Sequence, residues 1–133
     1  MIVHGVQPGE LDKIFTLTVP RLVAIPRLIE RYRIEDVYEE IRDGNWQLWL
    51  ALDKTVEAAC LTTIVEFPKR REIHLLGVAG HRAKEWAASG INLIEQYGRK
   101  MGCELIVAQA IRRGFGRYFP EYKLGRASLE RKL

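Results

Sequence analysis

The spacing of apolar residues changes along the chain, and the change separates predicted helices from predicted strands. Between Glu10 and about Glu30, apolar residues recur every three or four positions, which predicts a helix. Pro20 and Pro26 are expected to kink or split it, because each lacks a backbone donor and disfavours helix just before itself. A second, shorter helix is predicted over 34–44, with Gly44 as its stop.

Strand-like patterns precede and follow these helices. Residues 1–6 predict a short first strand, stopped at Pro8–Gly9. After the helices, three apolar segments are separated by short polar turns: Trp46–Asp53, Glu57–Phe67 and Glu72–Ala79. Alternation is clearest in the first of these, where Trp46, Leu48, Leu50 and Leu52 share one face. Short turns between consecutive strands predict an antiparallel meander.

A strand–helix–strand unit follows the meander. An amphipathic helix is predicted from Lys84 to Met101, with Gly102 as its stop, and an apolar strand over Cys103–Ile111. This strand should run parallel to the last meander strand, with a right-handed crossover. A short helix or turn at 114–119 and a final strand near 127–133 complete the prediction: an α+β (α/β) fold with a mixed, mostly antiparallel central sheet, a βαβ unit and helices on both faces.

Composition predicts one soluble globular domain over residues 1–133. Apolar residues make up 47% and charged residues 29% of the chain. The net charge is +4, and seven basic residues against two acidic ones lie between Arg112 and Leu133. No apolar run approaches the roughly 18 residues that span a membrane, and no secretion signal is recognisable. We therefore expect no membrane segment and a cytoplasmic location.

Two cysteines, Cys60 and Cys103, lie in or beside apolar strand segments. No pair of Cys or His residues has the spacing of a metal site. We expect two buried free thiols in a reducing compartment, and no metal.

The stretch from Leu76 to Gly90 leads from a strand through glycines into the amphipathic helix. His81, Arg82 and Lys84 crowd the positive end of that helix, where each cation costs roughly 0.3–1 kcal/mol. A docked anion or acidic partner would explain this cluster. The alternative is that these side chains point into solvent, with Glu85 as a favourable residue of the first turn.

The order of elements resembles that of the GNAT superfamily of N-acetyltransferases. Three local stretches, "DGNWQLWLALD", "TTIVEFPKRREIHLLGVAG" and "IRRGFGRYFPEY…LERKL", look similar to phage and prophage proteins described as GNAT-like. In several short-tailed phages such proteins are encoded among the virion genes. The resemblance therefore implies an acetyltransferase fold, with a protein partner such as another virion protein, and a place in the host cytoplasm or the virion.

The resemblance also implies an acetyl-CoA site where two parallel strands splay apart, with the pyrophosphate on backbone N–H groups at the start of the next helix. The family loop, Gln/Arg-x-x-Gly-x-Gly/Ala, matches best at 82–87. Arg82 and Ala87 fit its first and last positions, but Glu85 replaces the glycine with a carboxylate that would repel pyrophosphate. The implied cofactor-binding residues are Val78, Gly80, Arg82, Ala83, Lys84 and Ala87.

Acetyl transfer also needs an acid for the departing thiolate and a base for the amine. In the family the acid is often a tyrosine in the short helix after the fifth strand. This makes Tyr118 the first candidate and Tyr122 the second. Glu66 and His74, on the central meander, are the candidate bases. Structural roles remain open for all four, as core aromatics or as paired polar groups.

Three functional hypotheses follow. The first is a GNAT-fold protein with a degenerate acetyl-CoA site, acting as a non-catalytic interaction or virion-associated module. The alternative is an active acetyl-CoA-dependent N-acetyltransferase acting on an unknown amine. The third is nucleic-acid binding through the basic and aromatic run 112–126, which is the least favoured because no nucleic-acid motif accompanies it.

Overall fold

A computed structural model describes residues 1–109, 122–124 and 128–133 of the chain. Its elements, in chain order, are β1 (Ile2–Gly5), a 3-10 turn (Pro8–Glu10), α1 (Leu11–Leu22), α2 (Leu28–Arg31), α3 (Ile34–Arg42), β2 (Trp46–Asp53), β3 (Thr55–Glu66), β4 (Arg71–Gly80), α4 (Ala83–Lys100), β5 (Leu105–Gln109), β6 (Lys123–Leu124) and β7 (Ser128–Lys132). Among the described helices, none is long and apolar enough to cross a membrane.

The strands form one sheet in the order β1-β2-β3-β4-β5-β7-β6. Neighbouring strands are antiparallel except β4 and β5, which are parallel and joined through α4. The predicted fold class is therefore confirmed: a mixed, mostly antiparallel sheet with a βαβ unit. The two-residue strand β6 was not predicted, since so short a segment carries no periodicity.

The prolines act differently from each other. Pro20 lies inside α1, which continues to Leu22. So late in a helix the missing N–H costs a single backbone bond, and the helix tolerates it. Pro26 lies in the break between α1 and α2, where Arg27 adopts a left-handed backbone conformation with φ of 65°. The predicted split therefore occurs at Pro26 and not at Pro20.

Each face of the sheet carries its own apolar core. On the α1–α3 face, helical side chains such as Leu22 and Val37 pack against one side of β2 and β3, including the predicted row of Trp46, Leu48, Leu50 and Leu52. On the α4 face, Ile94 packs with Ile73, Ile106 and Trp49. Cys60 and Cys103 are free thiols buried in this second core, as predicted. Alternation along each strand divides its side chains between the two cores.

β4 carries two irregularities that shape the site. Leu61 pairs with Gly77 but Thr62 pairs with Leu75, so Leu76 is an extra residue that forms a β-bulge. The described pairing of β4 with β5 ends at Leu75 and Ala108, whereas β4 continues beside β3 to Gly80. The splay that the resemblance implies lies beyond Leu75, where β5 leads into residues outside those that the structure describes.

Candidate functional site

The loop after β4 is held tightly against β3. A Cβ added at Gly80 would lie 2.4 Å from both the Ala58 Cβ and the Glu57 carbonyl oxygen, so this close approach requires glycine. The His81 N–H donates a hydrogen bond of 2.9 Å to the same Glu57 carbonyl. Arg82 then takes a left-handed conformation, with φ of 63°, and α4 begins at the next residue.

The Arg82 guanidinium lies among three carboxylates. Its Nη1 is 2.6 Å from the Asp53 Oδ2 and 3.8 Å from the Glu57 Oε1. Its Nη2 donates to the Glu85 Oε1 at 3.0 Å, and its Nε pairs with the other Glu85 oxygen. We call these four residues the Arg82 cluster. Hydrogen bonds from Arg82 lower the pKa of Asp53 and of Glu85, so both carboxylates are charged at neutral pH.

The basic residues of the loop after β4 differ in their environments. Arg82 is neutralised within the protein, and Glu85 pairs with it at the first turn of α4. The other two basic residues of the loop, His81 and Lys84, are exposed. The remaining implied cofactor positions serve packing: Ala87 is buried against Ala51 and Ala58, and Val78 and Ala83 pack against the same group.

A second polar group lies lower on β4. The His74 Nε2 is 2.7 Å from the Glu72 Oε1, and the Arg70 Nε is 2.5 Å from the Glu72 Oε2. Glu72 is only 6% exposed. Burial alone would raise its pKa, but the hydrogen bonds from His74 and Arg70 together hold the pKa below its ordinary value. A charged carboxylate therefore orients the His74 ring through Nε2, which leaves Nδ1 as the nitrogen that can accept a proton.

The position of His74 relates this group to the splay. His74 pairs with Val107 of β5, one residue before the last described β4–β5 pair. Its neighbours Ile73 and Leu75 pack on the α4 face, so the alternation of β4 turns His74 to the α1–α3 face. An oriented imidazole near the end of the described β4–β5 pairing has the chemistry of a general base.

Two of the other candidate catalytic residues, Glu66 and Tyr122, lie apart from His74. Glu66 has a side chain 72% exposed, pairs with Arg71 at 3.2 Å, and lies three positions along β3 from the partner of His74, hence on the opposite face. The Tyr122 hydroxyl donates to Glu95 on α4 at 2.8 Å, and burial, followed by this carboxylate, raises the pKa of Tyr122. Tyr118 lies outside the described residues.

Four residues of these two groups were not predicted from the sequence: Arg70, Glu72, Asp53 and Glu57. Arg70 and Glu72 alternate with His74 at every second position, which is the spacing of one strand face, so this signal was present in the sequence. The approach of Asp53 to Arg82 had no local signal. It depends on the tight turn from β2 into β3 and on the β3–β4 register, which together bring residue 53 beside residue 82.

No known sequence family matches the chain, and no curated protein is significantly similar to it in sequence. Solved structures do match. A chain of the NatC complex, in a structure bound to a Gag peptide and CoA, has a TM-score of 0.75 at 8% identity, covering 99% of this chain and 98% of that one. A predicted acetyltransferase from Clostridium acetobutylicum, solved with acetyl-CoA, has a TM-score of 0.67 at 9% identity, covering 94% and 92%.

A GNAT-family acetyltransferase from Listeria monocytogenes matches with a TM-score of 0.60 at 14% identity, covering 99% of this chain and 94% of that one. Identities this low establish the architecture and leave the chemistry to the residues of the site. The chain therefore has the fold of the GNAT acetyltransferases.

Proposed function

We propose that residues 1–133 form a single GNAT-fold domain whose coenzyme A site is closed, and that the protein works as a non-catalytic binding module. The observation that carries this proposal is the Arg82 cluster. Three carboxylates surround the one guanidinium at the point where the fold would receive a pyrophosphate.

The electrostatic argument concerns the start of α4. Backbone N–H groups and the helix dipole favour an anion there, by an amount that a nearby carboxylate readily offsets. Glu85 stands in the first turn, and Asp53 approaches from the β2–β3 turn. A pyrophosphate at this position would meet negative charge in excess of positive charge, and would have to compete with Asp53 and Glu85 for Arg82.

Calorimetric titration with coenzyme A tests the proposal. We expect no binding to the wild-type protein at millimolar ligand, and measurable binding after the double substitution Asp53→Asn and Glu85→Gly. Glu66→Gln is the matched control, because it removes an exposed carboxylate at the other end of β3. Micromolar binding by the wild-type protein would refute the proposal, and failure of the double variant to gain affinity would remove the electrostatic reason for it.

The binding role itself is proposed for the outer surface of α1 and α2. Four large apolar side chains are exposed there: Leu17, Val23, Ile29 and Tyr32. Exposed apolar residues in one region are typical of protein–protein contacts. If the partner is a virion protein, the chain should be present in purified particles at a constant copy number. Its absence from such particles would exclude the virion role.

The second candidate function is an active acetyl-CoA-dependent N-acetyltransferase, and the His74–Glu72 pair beside the splay favours it. Transfer of labelled acetyl groups from acetyl-CoA to a panel of amines tests this function. If it is correct, His74→Gln removes activity and Glu72→Gln shifts the pH profile, while the exposed His81→Gln leaves both unchanged. Absence of transfer to every amine would favour the non-catalytic proposal.

A further inference from the structure

A large cleft opens where β1 ends. β1 stops at Gly5, opposite Trp49, whereas β2 begins three residues earlier at Trp46. The chain leaves the sheet through the 3-10 turn Pro8–Glu10, so the first residues of β2 are paired with β3 but have no complete strand on their β1 side. The result is a cleft of about 570 Å³, a volume typical of small-molecule sites.

The walls of the cleft are mainly apolar and aromatic. Trp49 contributes from the α4 face of β2, and Leu93 and Tyr97 from α4, while Trp46 and Leu48 line the cleft from the other face of β2. The rings of Trp49 and Tyr97 meet edge to face with centroids 5.4 Å apart. These side chains offer a fixed apolar surface of the kind that receives an aromatic or aliphatic group.

Tyr97 and Lys100 offer hydrogen-bond donors on the α4 side of the cleft, where the amide of Gln96 offers both donors and an acceptor. Tyr97 and Lys100 are three residues apart on α4 and so share one side of the helix. Neither the Tyr97 hydroxyl nor the Lys100 ammonium has a polar partner among the described residues. The carbonyl oxygen of Gln47 already accepts from Thr62, which leaves the amide N–H groups of Gln47 as its free side.

The charge of the cleft has one sign. Among the described residues that line the cleft, Lys100 carries a full positive charge and none is an aspartate or a glutamate. The nearby carboxylate of Glu10 is engaged by His4, at 2.9 Å, and by the Gln7 N–H. Convergent donors with a single cation, beside apolar walls, are complementary to an anionic head on an apolar body.

We propose that this cleft binds a small apolar carboxylic acid, with the carboxylate received by Lys100, Tyr97 and Gln47 and the apolar body packed against Trp49 and Leu93. The cleft is separated from the β4–β5 splay by β3 and from the Arg82 cluster by the length of β2. Its occupancy is therefore independent of whether coenzyme A binds.

Three probes with the same body and different charge test the proposal: 4-phenylbutyrate, 4-phenylbutanol and 4-phenylbutylamine. Binding is followed on the indole N–H signals in nitrogen-edited NMR spectra. We expect the carboxylate to shift the signal of Trp49 and to leave that of Trp86, which does not line this cleft, unchanged. We expect affinity to fall at least tenfold from the acid to the alcohol and further for the amine.

Lys100→Met removes the cation and keeps an apolar side chain of similar length. We expect it to weaken binding of the carboxylate about tenfold, since a hydrogen bond to a charged group is lost, and to leave binding of the alcohol unchanged. Arg99→Met is the matched control, because Arg99 is exposed on α4 and does not line the cleft. Equal affinity for the acid and the amine, shifts confined to Trp86, or undiminished binding by Lys100→Met would each overturn the proposal.

Discussion

Gly77→Ala is the most informative single substitution in this fold. Gly77 lies on the part of β4 that continues beyond the pairing with β5. A Cβ at this position would stand 2.2 Å from the Cγ2 of Ile25, a separation that no non-bonded pair of carbon atoms adopts. Ile25 belongs to the break between α1 and α2, is only 3% exposed, and packs within the core on the α1–α3 face.

The expected cost follows from this contact. Forcing an extra methyl group into a packed core costs about 1–3 kcal/mol. Backbone strain adds nothing here, because Gly77 does not have a positive φ. We expect Gly77→Ala to lower the free energy of unfolding by that amount. Gly90→Ala is the matched control: its Cβ would meet only the Val3 Cγ1 at 3.8 Å, and alanine inside α4 should stabilise the helix by about 0.5–1 kcal/mol.

A double-mutant cycle with Ile25→Ala tests the reason. The single change Ile25→Ala should cost about 2–5 kcal/mol, because it opens a cavity in the core. In the double variant the methyl group added at position 77 fills part of that cavity, so the combined cost should fall short of the sum of the two single costs by at least about 0.5 kcal/mol. Urea unfolding followed by circular dichroism measures all four proteins. If the two single costs add in the double variant, the contact with Ile25 is not the reason that alanine at position 77 destabilises the fold.

Three further predictions concern buried polar groups. Glu95, almost fully buried, accepts from Arg131 at 2.8 Å, so Glu95→Ala should cost about 2–4 kcal/mol in urea unfolding, and Glu95→Gln less. The pKa of Glu72 in the folded protein lies below its ordinary 4.5, so the charged carboxylate stabilises the fold fully above that pH and less as the pH falls through the lowered pKa. Glu72→Gln should therefore flatten the dependence of the free energy of unfolding on pH in that window. Burial raises the pKa of Cys60 to about 12 and also raises that of Cys103, so a thiol reagent at pH 8 should modify neither until the protein unfolds.

The fold was readable from the sequence where periodicity was strong. The alternation from Trp46 to Asp53 placed one face of β2 in the core, and the helical spacing after Lys84 predicted α4 to within a residue at each end. The predicted ends of the strands were less accurate where local residue preferences compete with strand pairing. β3 begins at Thr55, two residues before the predicted Glu57, because the tight turn from β2 extends the ladder.

The site was less predictable because its groups come from distant parts of the chain. The carboxylate at Glu85 was recognised as a departure from the family loop, since that comparison is local. Asp53 and Glu57 reach Arg82 only through the pairing of β2, β3 and β4, which no single segment specifies. The pairing of His74 with Glu72 is the opposite case, because strand alternation alone brings them to one face.

Three features lie in sequence along β4 and bear differently on the two candidate functions. His74 stands on the part of β4 that pairs with β5 and has an oriented ring, Gly77 lies against Ile25 beyond the described β4–β5 pairing, and the Arg82 cluster follows the end of the strand. A ligand reaching from the start of α4 to His74 would have to pass the Arg82 cluster and then the contact between Ile25 and Gly77. Removing the carboxylates alone should therefore restore affinity for the pyrophosphate part of coenzyme A without restoring acetyl transfer. Transfer would need Ile25 to move as well, so an active Asp53→Asn/Glu85→Gly variant with Ile25 unchanged would contradict this order of obstacles.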